Sequence, residues 1–252
     1  MTTAPASQDP ASSAPVVVVI PTYNERENIE GIVREVLALG DRFRLLVVDD
    51  NSPDGTGEIV SGLAREFPGR VELLLRPRKE GIGRAYVAGF QHALAMEGEL
   101  IAQMDADHSH QPADLERMVA AAAGYDLVLA SRYVPGGATV GWPWHRKLIS
   151  RAGGIYAGLI LGVPIRDLTG GFKVWRRHVL EAIELESIHS DGYSFQVETT
   201  WRAVQKRAQY TQVPIVFVDR VAGKSKLSRR VVIEAIFLPW NLRLRRVFNR
   251  PW

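Results

Sequence analysis

Two carboxylates spaced i, i+2, Asp105 and Asp107, close the apolar run Leu100-Ile101-Ala102-Gln103-Met104. In an extended chain such a pair points to one face. Both would then stand side by side at the carboxyl end of a strand, the edge at which open α/β sheets bind ligands. Paired hard oxygen ligands there suit Mg²⁺ or Mn²⁺ shared with substrate phosphates. The structural alternative is a strand-to-helix turn, with Asp107 or Ser109 capping a helix that starts near Pro112.

Polar groups recur at the other strand ends. Tyr23 and Glu25 follow the first apolar strand, Asp49 and Asp50 the second, and Arg132 the fifth. Aromatic rings and carboxylates suit a base and its ribose, and a metal on Asp105 and Asp107 would suit a diphosphate. Local alternatives exist for single positions: an Asx turn with Pro53 for Asp49 and Asp50, and helix N-terminal charge for Glu25. They do not explain the coincidence of all these groups at one edge.

The elements that must position these groups alternate along the chain. Residues 16–20, 45–48, 71–75, 100–104 and 127–130 are short apolar runs, as expected of strands buried on both faces. Between them, Ile29, Ile32, Val33, Val36 and Leu37 follow helical spacing, with Asn24 and Glu27 as a capping box and Gly40 as the stop. Ile59, Val60, Leu63 and Phe67 mark a second helix. A third runs from the Gly81 and Gly83 loop to about 96, and a fourth spans 112–123. This alternation predicts βαβ units and an α/β, mostly parallel sheet flanked by helices, with the strand ends brought to one edge. Beyond Arg132 come a Gly loop at 168–173, a helix at 194–206, a strand at 213–218 and a basic loop at 220–228. The apolar segments 148–161 and 231–240 are flanked by basic residues and Trp.

Composition narrows the chemistry. The 252 residues are 46% hydrophobic and contain no cysteine, which excludes disulfides, Cys–zinc sites and thiol nucleophiles. Pro21-Thr22-Tyr23-Asn24-Glu25 lacks the glycines of a dinucleotide loop, and there is no P-loop, Gly-x-Ser-x-Gly elbow or His-Glu-x-x-His. Residues 1–14, rich in Ala, Ser, Thr and Pro, read as a disordered tail. No apolar run reaches the roughly 20 residues needed to cross a bilayer. From Asp219 onward nine cations face two anions, so the net +3 divides into +7 there and −4 elsewhere. A basic end implies an anionic partner: nucleic acid, phosphorylated substrate or membrane surface.

Three stretches carry a resemblance: Ile20-Pro21-Thr22-Tyr23-Asn24-Glu25, Val48-Asp49-Asp50-Asn51-Ser52-Pro53-Asp54-Gly55-Thr56 and Met104-Asp105-Ala106-Asp107. With them the chain resembles a family 2 glycosyltransferase of GT-A fold. Ser131-Arg132-Tyr133, Leu168-Thr169-Gly170-Gly171-Phe172-Lys173 and Val218-Asp219-Arg220 with Gly223-Lys224-Ser225-Lys226-Leu227 narrow the likeness to the polyprenol-phosphate (dolichol-phosphate) mannosyltransferases. It covers about 16–227, inside a catalytic domain of 15–228 followed by a basic amphipathic, membrane-associating segment, 229–252.

The resemblance implies transfer of mannose, with inversion, from GDP-mannose to a polyprenyl phosphate, using Mg²⁺ or Mn²⁺. Pro21, Tyr23, Glu25, Val48 and Asp50 would contact guanosine. Met104, Asp105, Ala106 and Asp107 would contact ribose, diphosphate and metal. Arg132, Arg220 and Lys226 would contact phosphates, with Lys173 an additional cation for the acceptor. Relatives often add C-terminal membrane spans; this chain does not, so anchoring falls to its own surface or to an integral membrane partner protein. The implied place of work is the cytoplasmic face of a membrane, with lipid and not nucleic acid as the partner. The six histidines show no ligand spacing, and His110 is the one near enough to support the metal carboxylates. Asp191 would be a base in a sugar-hydroxyl transferase, and with a phosphate acceptor it keeps an orienting role. Two rivals remain: a sister transferase using UDP-glucose or a hydroxyl acceptor, and a non-catalytic nucleotide-sugar or anionic-membrane binding module.

Overall fold

The structure, a computed structural model, describes residues 15–219 and 229–248. Its centre is β1 (Val16–Thr22), buried at every position. On one side lie β2 (Phe43–Asp49) and β3 (Val71–Leu75); on the other, β4 (Leu100–Gln103), β7 (Lys173–Arg176), β5 (Leu127–Ser131) and β8 (Tyr210–Pro214). All seven strands of this sheet run parallel except β7, which is antiparallel to β4 and β5. A separate two-stranded sheet pairs β6 (Ala138–Val140) with β9 (Val216–Val218).

Alternate residues of each strand feed two cores, the period-two pattern of a sheet covered on both faces. Val16, Val18, Ile20, Leu45 and Val47 pack with α1 (Ile29–Ala38), α2 (Thr56–Glu66) and α4 (Pro112–Ala121). Val17, Val19, Leu46 and Val48 pack with α3 (Ile82–Ala93), α5 (Trp144–Leu161) and α7 (Gly192–Gln205). The chain therefore changes face between β3 and β4, and the strand order reverses at the β1–β4 pair. Open sheets hold ligands in the crevice outside such a switch point.

α3 reaches the sheet closely because of Gly89. A Cβ there would stand 2.5 Å from Val19 Cγ1 and 2.9 Å from Val48 Cγ2. Gly89→Val should push the helix off the strands, cost about 2 kcal/mol and lower Tm by roughly 4–8 °C; thermal unfolding followed by circular dichroism checks this.

Several expected features differ. The capping box of Asn24 and Glu27 does not form: Asn24 is left-handed (φ 60), and α1 starts at Ile29 with Asn28 as its N-cap. β7 and α6 (Arg177–Ala182) lie in a stretch with no clear apolar period. The strand expected at 213–218 is two, because the chain leaves the main sheet after Pro214 and joins β6 from Val216. The apolar segments 148–161 and 231–240 lie within α5 and α8 (Arg229–Val247). α8 does not gather its apolar residues on one buried face: Leu242 is buried, while Ile233, Ile236, Phe237, Trp240 and Leu244 are exposed. Among the described residues no helix is long and apolar enough to cross a membrane. The tail 1–14, Arg220 and Lys226 lie outside the described residues.

Candidate functional site

At the β1–β4 switch point opens a cleft of about 330 Å³. Pro21, Tyr23, Glu25, Asp50, Asp105, Ala106 and Asp107 all line it, as the strand-end reading expects. Val48 and Met104 do not. Both are fully buried, Val48 against α3 and Met104 in the opposite core, so neither side chain meets a ligand.

One end of the cleft is built from β1 and β2. Asp49 is a scaffold: its carboxylate accepts Thr22 Oγ1–H (2.8 Å) and the Ser52 amide (2.9 Å), shaping the loop after β2. Asp50 then turns to the cleft, with its amide on the Thr22 carbonyl (3.1 Å). Burial pushes the Asp50 carboxyl up, while its ion pair with Arg76 pulls it back towards the charged form. Arg76 is itself held by Glu80 at 2.8 Å. Lys79 Nζ sits 3.7 Å from the Tyr23 ring centroid, over its face. This end offers a ring and two carboxylates, acceptors for a polar heterocycle and a ribose.

The other end is the loop after β4. The strand stops at Gln103, so Asp105 and Asp107 lie beyond it, and the strand period is not what brings them together. The loop turns tightly (His108 φ 55) and keeps both facing the cleft. Asp105 Oδ1 accepts Tyr86 O–H (3.0 Å), and the Asp105 amide donates to His110 Nδ1 (3.1 Å). Burial first, and then Asp105, hold the Tyr86 phenol well above its usual pKa, so it stays a donor. His110 is buried between Phe172 and Phe217, ring centroids 5.0 and 5.6 Å away. Asp107 Oδ1 accepts the Ser109 amide (3.1 Å). Asp107 is not a helix cap: α4 begins after Gln111, with Pro112 in its first turn.

Among the described residues no cluster of three or more His, Cys, Asp or Glu side chains could hold a metal. Two carboxylates at one cleft are the donor set Mg²⁺ or Mn²⁺ takes when water and substrate phosphates complete the shell, so Asp105 and Asp107 fit such an ion.

A second pocket, about 70 Å³, adjoins the first and shares Asp105, Thr169, Gly171 and Tyr193 with it. Arg132 lines it. Its Nε and Nη2 donate to the two oxygens of Asp167 (2.7 and 2.6 Å), and its amide also donates to Asp167 (2.9 Å). Burial alone would lower its pKa; the bonds to Asp167 outweigh that and fix the cation. Arg146, at the start of α5, lines the same pocket and pairs with Asp219 (2.9 Å). The Trp142 ring lies near both guanidiniums, 5.3 Å from that of Arg132 and 4.1 Å from that of Arg146.

Lys173 is corrected. It opens β7 and is fully buried, and its ammonium donates to Gln196 O (3.0 Å) and Oε1 (2.8 Å). Burial drives its pKa well down. It braces Gln196, a cleft residue, and cannot meet an acceptor phosphate. Sequence reasoning missed Asp167 and the placement of Arg146. The first had a signal in being an acid directly before the apolar-glycine loop 168–173; the second was visible only as one of three basic residues near the start of α5.

The model of glycosyl transferase family 2 matches residues 17–184. The chain is 44% identical over 244 residues to the polyprenol monophosphomannose synthase of Mycolicibacterium smegmatis, covering 94% of this chain and 92% of that protein. It is 44% identical over 224 residues to the undecaprenyl-phosphate mannosyltransferase of Micrococcus luteus, covering 88% and 90%. Among solved structures, glucosyl-3-phosphoglycerate synthase from Mycobacterium tuberculosis in complex with UDP superposes with a TM-score of 0.69 at 18% identity, covering 97% of this chain and 84% of that one. The same enzyme in complex with Mn²⁺, UDP and glucosyl-3-phosphoglycerate gives 0.65 at 18% identity, over 97% and 84%. These two share the fold.

Proposed function

We infer the reaction from one premise: the chain belongs to glycosyl transferase family 2. It transfers mannose from GDP-mannose to the phosphate of a polyprenyl monophosphate, with inversion, giving polyprenyl-phosphate-mannose and GDP. The observation that carries this reading is the pair of joined pockets, one with acceptors for a nucleoside and two carboxylates, the other with Arg132 and Arg146. The names of the two 44%-identical relatives support the mannosyl group and the lipid phosphate.

A phosphate monoester has a second pKa of about 6, so near neutrality it is mostly a dianion and needs no base. One of its oxygens forms the bond to the anomeric carbon. The bond from that carbon to the diphosphate breaks, its electron pair leaves with GDP, and no proton moves. The obstacle is repulsion between two anions. Arg132 and Arg146 bring the acceptor phosphate beside Asp105, with Arg132 preset by Asp167. Asp105 and Asp107 would hold Mg²⁺ or Mn²⁺, which when bound neutralises charge on the leaving group. Tyr86 and His110 orient Asp105. Tyr23, Glu25 and Asp50 take the guanosine, with the Asp50 carboxyl held in place by Arg76.

The lipid calls for a surface. On α5, Leu148, Ile149, Ile155 and Leu159 are exposed, and on α8 Ile233, Ile236, Phe237, Trp240 and Leu244. The two helices are tied, since Tyr156 O–H donates to the Ile236 carbonyl and accepts Trp240 Nε1–H, both at 2.9 Å. This apolar face, with Arg243, Arg245 and Arg246 of α8, rests on the anionic cytoplasmic surface of a membrane. Phe237→Ser with Leu244→Ser should leave the fold unchanged and cut sedimentation with anionic vesicles about tenfold or more. Undiminished sedimentation would refute the surface.

The reaction is tested by one incubation of protein, labelled GDP-mannose, polyprenyl phosphate and Mg²⁺, followed by organic extraction. Label in the organic phase, displaced poorly by UDP-glucose, is expected. An unlabelled organic phase from protein that binds GDP-mannose would overturn the reading.

A further inference from the structure

Glu234 is the one acid in the chain from residue 220 onward, set inside the apolar stretch of α8. Its Oε1 accepts the backbone amide of Asp191 at 3.1 Å. Asp191 is the N-cap of α7 and lines the large cleft together with Gly192 and Tyr193. Its own carboxylate faces another helix: Oδ1 accepts the Gly83 amide at 2.7 Å.

That second bond fills a need. The first amides of a helix lack intrahelical acceptors. α3 has Gly81 as its N-cap (φ 106) and therefore no side chain to cap itself. Asp191 supplies the missing acceptor from a distance. Two glycines permit the approach. A Cβ on Gly81 would lie 2.4 Å from Asp191 Oδ2, and one on Gly83 would lie 2.4 Å from the Ser190 carbonyl. One turn further along, α3 carries Tyr86, which holds Asp105. The Asp191 turn thus forms part of the cleft wall and clamps the helix that orients a proposed metal ligand.

We propose that Glu234 is a positioning residue for transfer: from α8 it holds the Asp191 turn against the first turn of α3, and so couples the placement of the C-terminal helix to the geometry of the cleft. The chemistry is a carboxylate oxygen accepting one backbone amide, and nothing in it requires Glu234 to touch a substrate. It gives the lone acid of α8 a task that a helix merely resting on lipid would not need. It rests on the reading of the cleft as the nucleotide-sugar site.

The test compares Glu234→Ala, which removes the acceptor, with Glu234→Gln, which keeps an oxygen at the same reach. Three quantities are read on the full chain: kcat for mannosyl transfer in vesicles, GDP affinity by calorimetry, and amide hydrogen exchange at Gly83 and Asp191. The Ala variant should lose about fivefold to tenfold in kcat, the worth of one hydrogen bond. Its exchange at Gly83 and Asp191 should quicken by a similar factor. GDP affinity should hold, because Pro21 is on β1 and Tyr23 and Asp50 directly follow β1 and β2. The Gln variant should recover kcat and protection to within about twofold of wild type. Unchanged exchange in the Ala variant overturns the proposal, as does a Gln variant no better than Ala. So does a fall in GDP affinity and Tm that matches the fall in kcat, since that marks general loosening. If the wild type itself transfers no mannose, the reaction assigned above fails, and the exchange comparison still decides the role of Glu234.

Discussion

Asp107→Asn should reduce transfer by about 10²–10³-fold while leaving the protein folded. The variant separates two tasks of one side chain. Asp107 Oδ1 accepts the Ser109 amide, and the Asn carbonyl can keep that bond. What it removes is the charge offered to a divalent cation, where an amide oxygen is a much weaker ligand. Asp107 lies after β4 and makes no part of a helix cap, so the fold depends on it little. Asp107→Ala loses the loop bond as well and should cost up to about 1 kcal/mol more in stability, with a similar loss of transfer. Steady-state kinetics over a titration of Mg²⁺ and Mn²⁺ read the effect, and the deficit in the Asn variant should shrink at high metal. Wild-type turnover in Asp107→Asn would reduce Asp107 to a loop support.

The legible part of this site is the part set by strand ends. Val16 to Ile20 and Leu45 to Val48 are continuous apolar runs that fit a sheet covered on both faces, and the polar residues after them had one edge to reach. Hence Pro21, Tyr23, Glu25, Asp50, Asp105 and Asp107 meet in one cleft. The illegible part depends on strand direction and burial. Nothing in Lys173-Val174-Trp175-Arg176 announces an antiparallel strand inserted between β4 and β5. That insertion sends Lys173 into the interior, where Gln196 satisfies it, and so removes a cation that charge counting assigns to the acceptor. The side chains of Val48 and Met104 stay out of the cleft for a related reason. Each belongs to a motif that borders the site, but the strand period turns Val48 towards α3, and Met104 packs in the core on the other face. The pairing of Asp167 with Arg132 spans 35 residues, a contact no local pattern encodes.

Arg132→Ala should be the most destabilising of the substitutions considered, because it leaves the Asp167 carboxylate buried beside an empty guanidinium site. Both side chains are almost wholly buried, 5% and 1% exposed, and three hydrogen bonds join Arg132 to Asp167. Removing one partner of such a pair typically costs about 3–5 kcal/mol. Loss of transfer in that variant would therefore say little about phosphate binding. Replacing both, Arg132→Met with Asp167→Leu, removes the stranded charge, and pairs of this kind are often replaced by apolar residues with no loss of stability. The double variant should recover part of that loss, staying about 1–3 kcal/mol below wild type in denaturant unfolding because the residue 132 amide loses its acceptor, and should still lose about 10²-fold or more in transfer. Arg132→Lys should fail too, since a point charge cannot reproduce the forked contact with both oxygens of Asp167. The loss in the double variant should fall on the lipid acceptor, with affinity for GDP unchanged, because Arg132 faces the smaller pocket and the nucleoside groups face the larger one. Transfer at the wild-type rate by a stable double variant would show that the Arg132–Asp167 pair serves folding alone, and would leave Arg146 as the described cation for the acceptor phosphate.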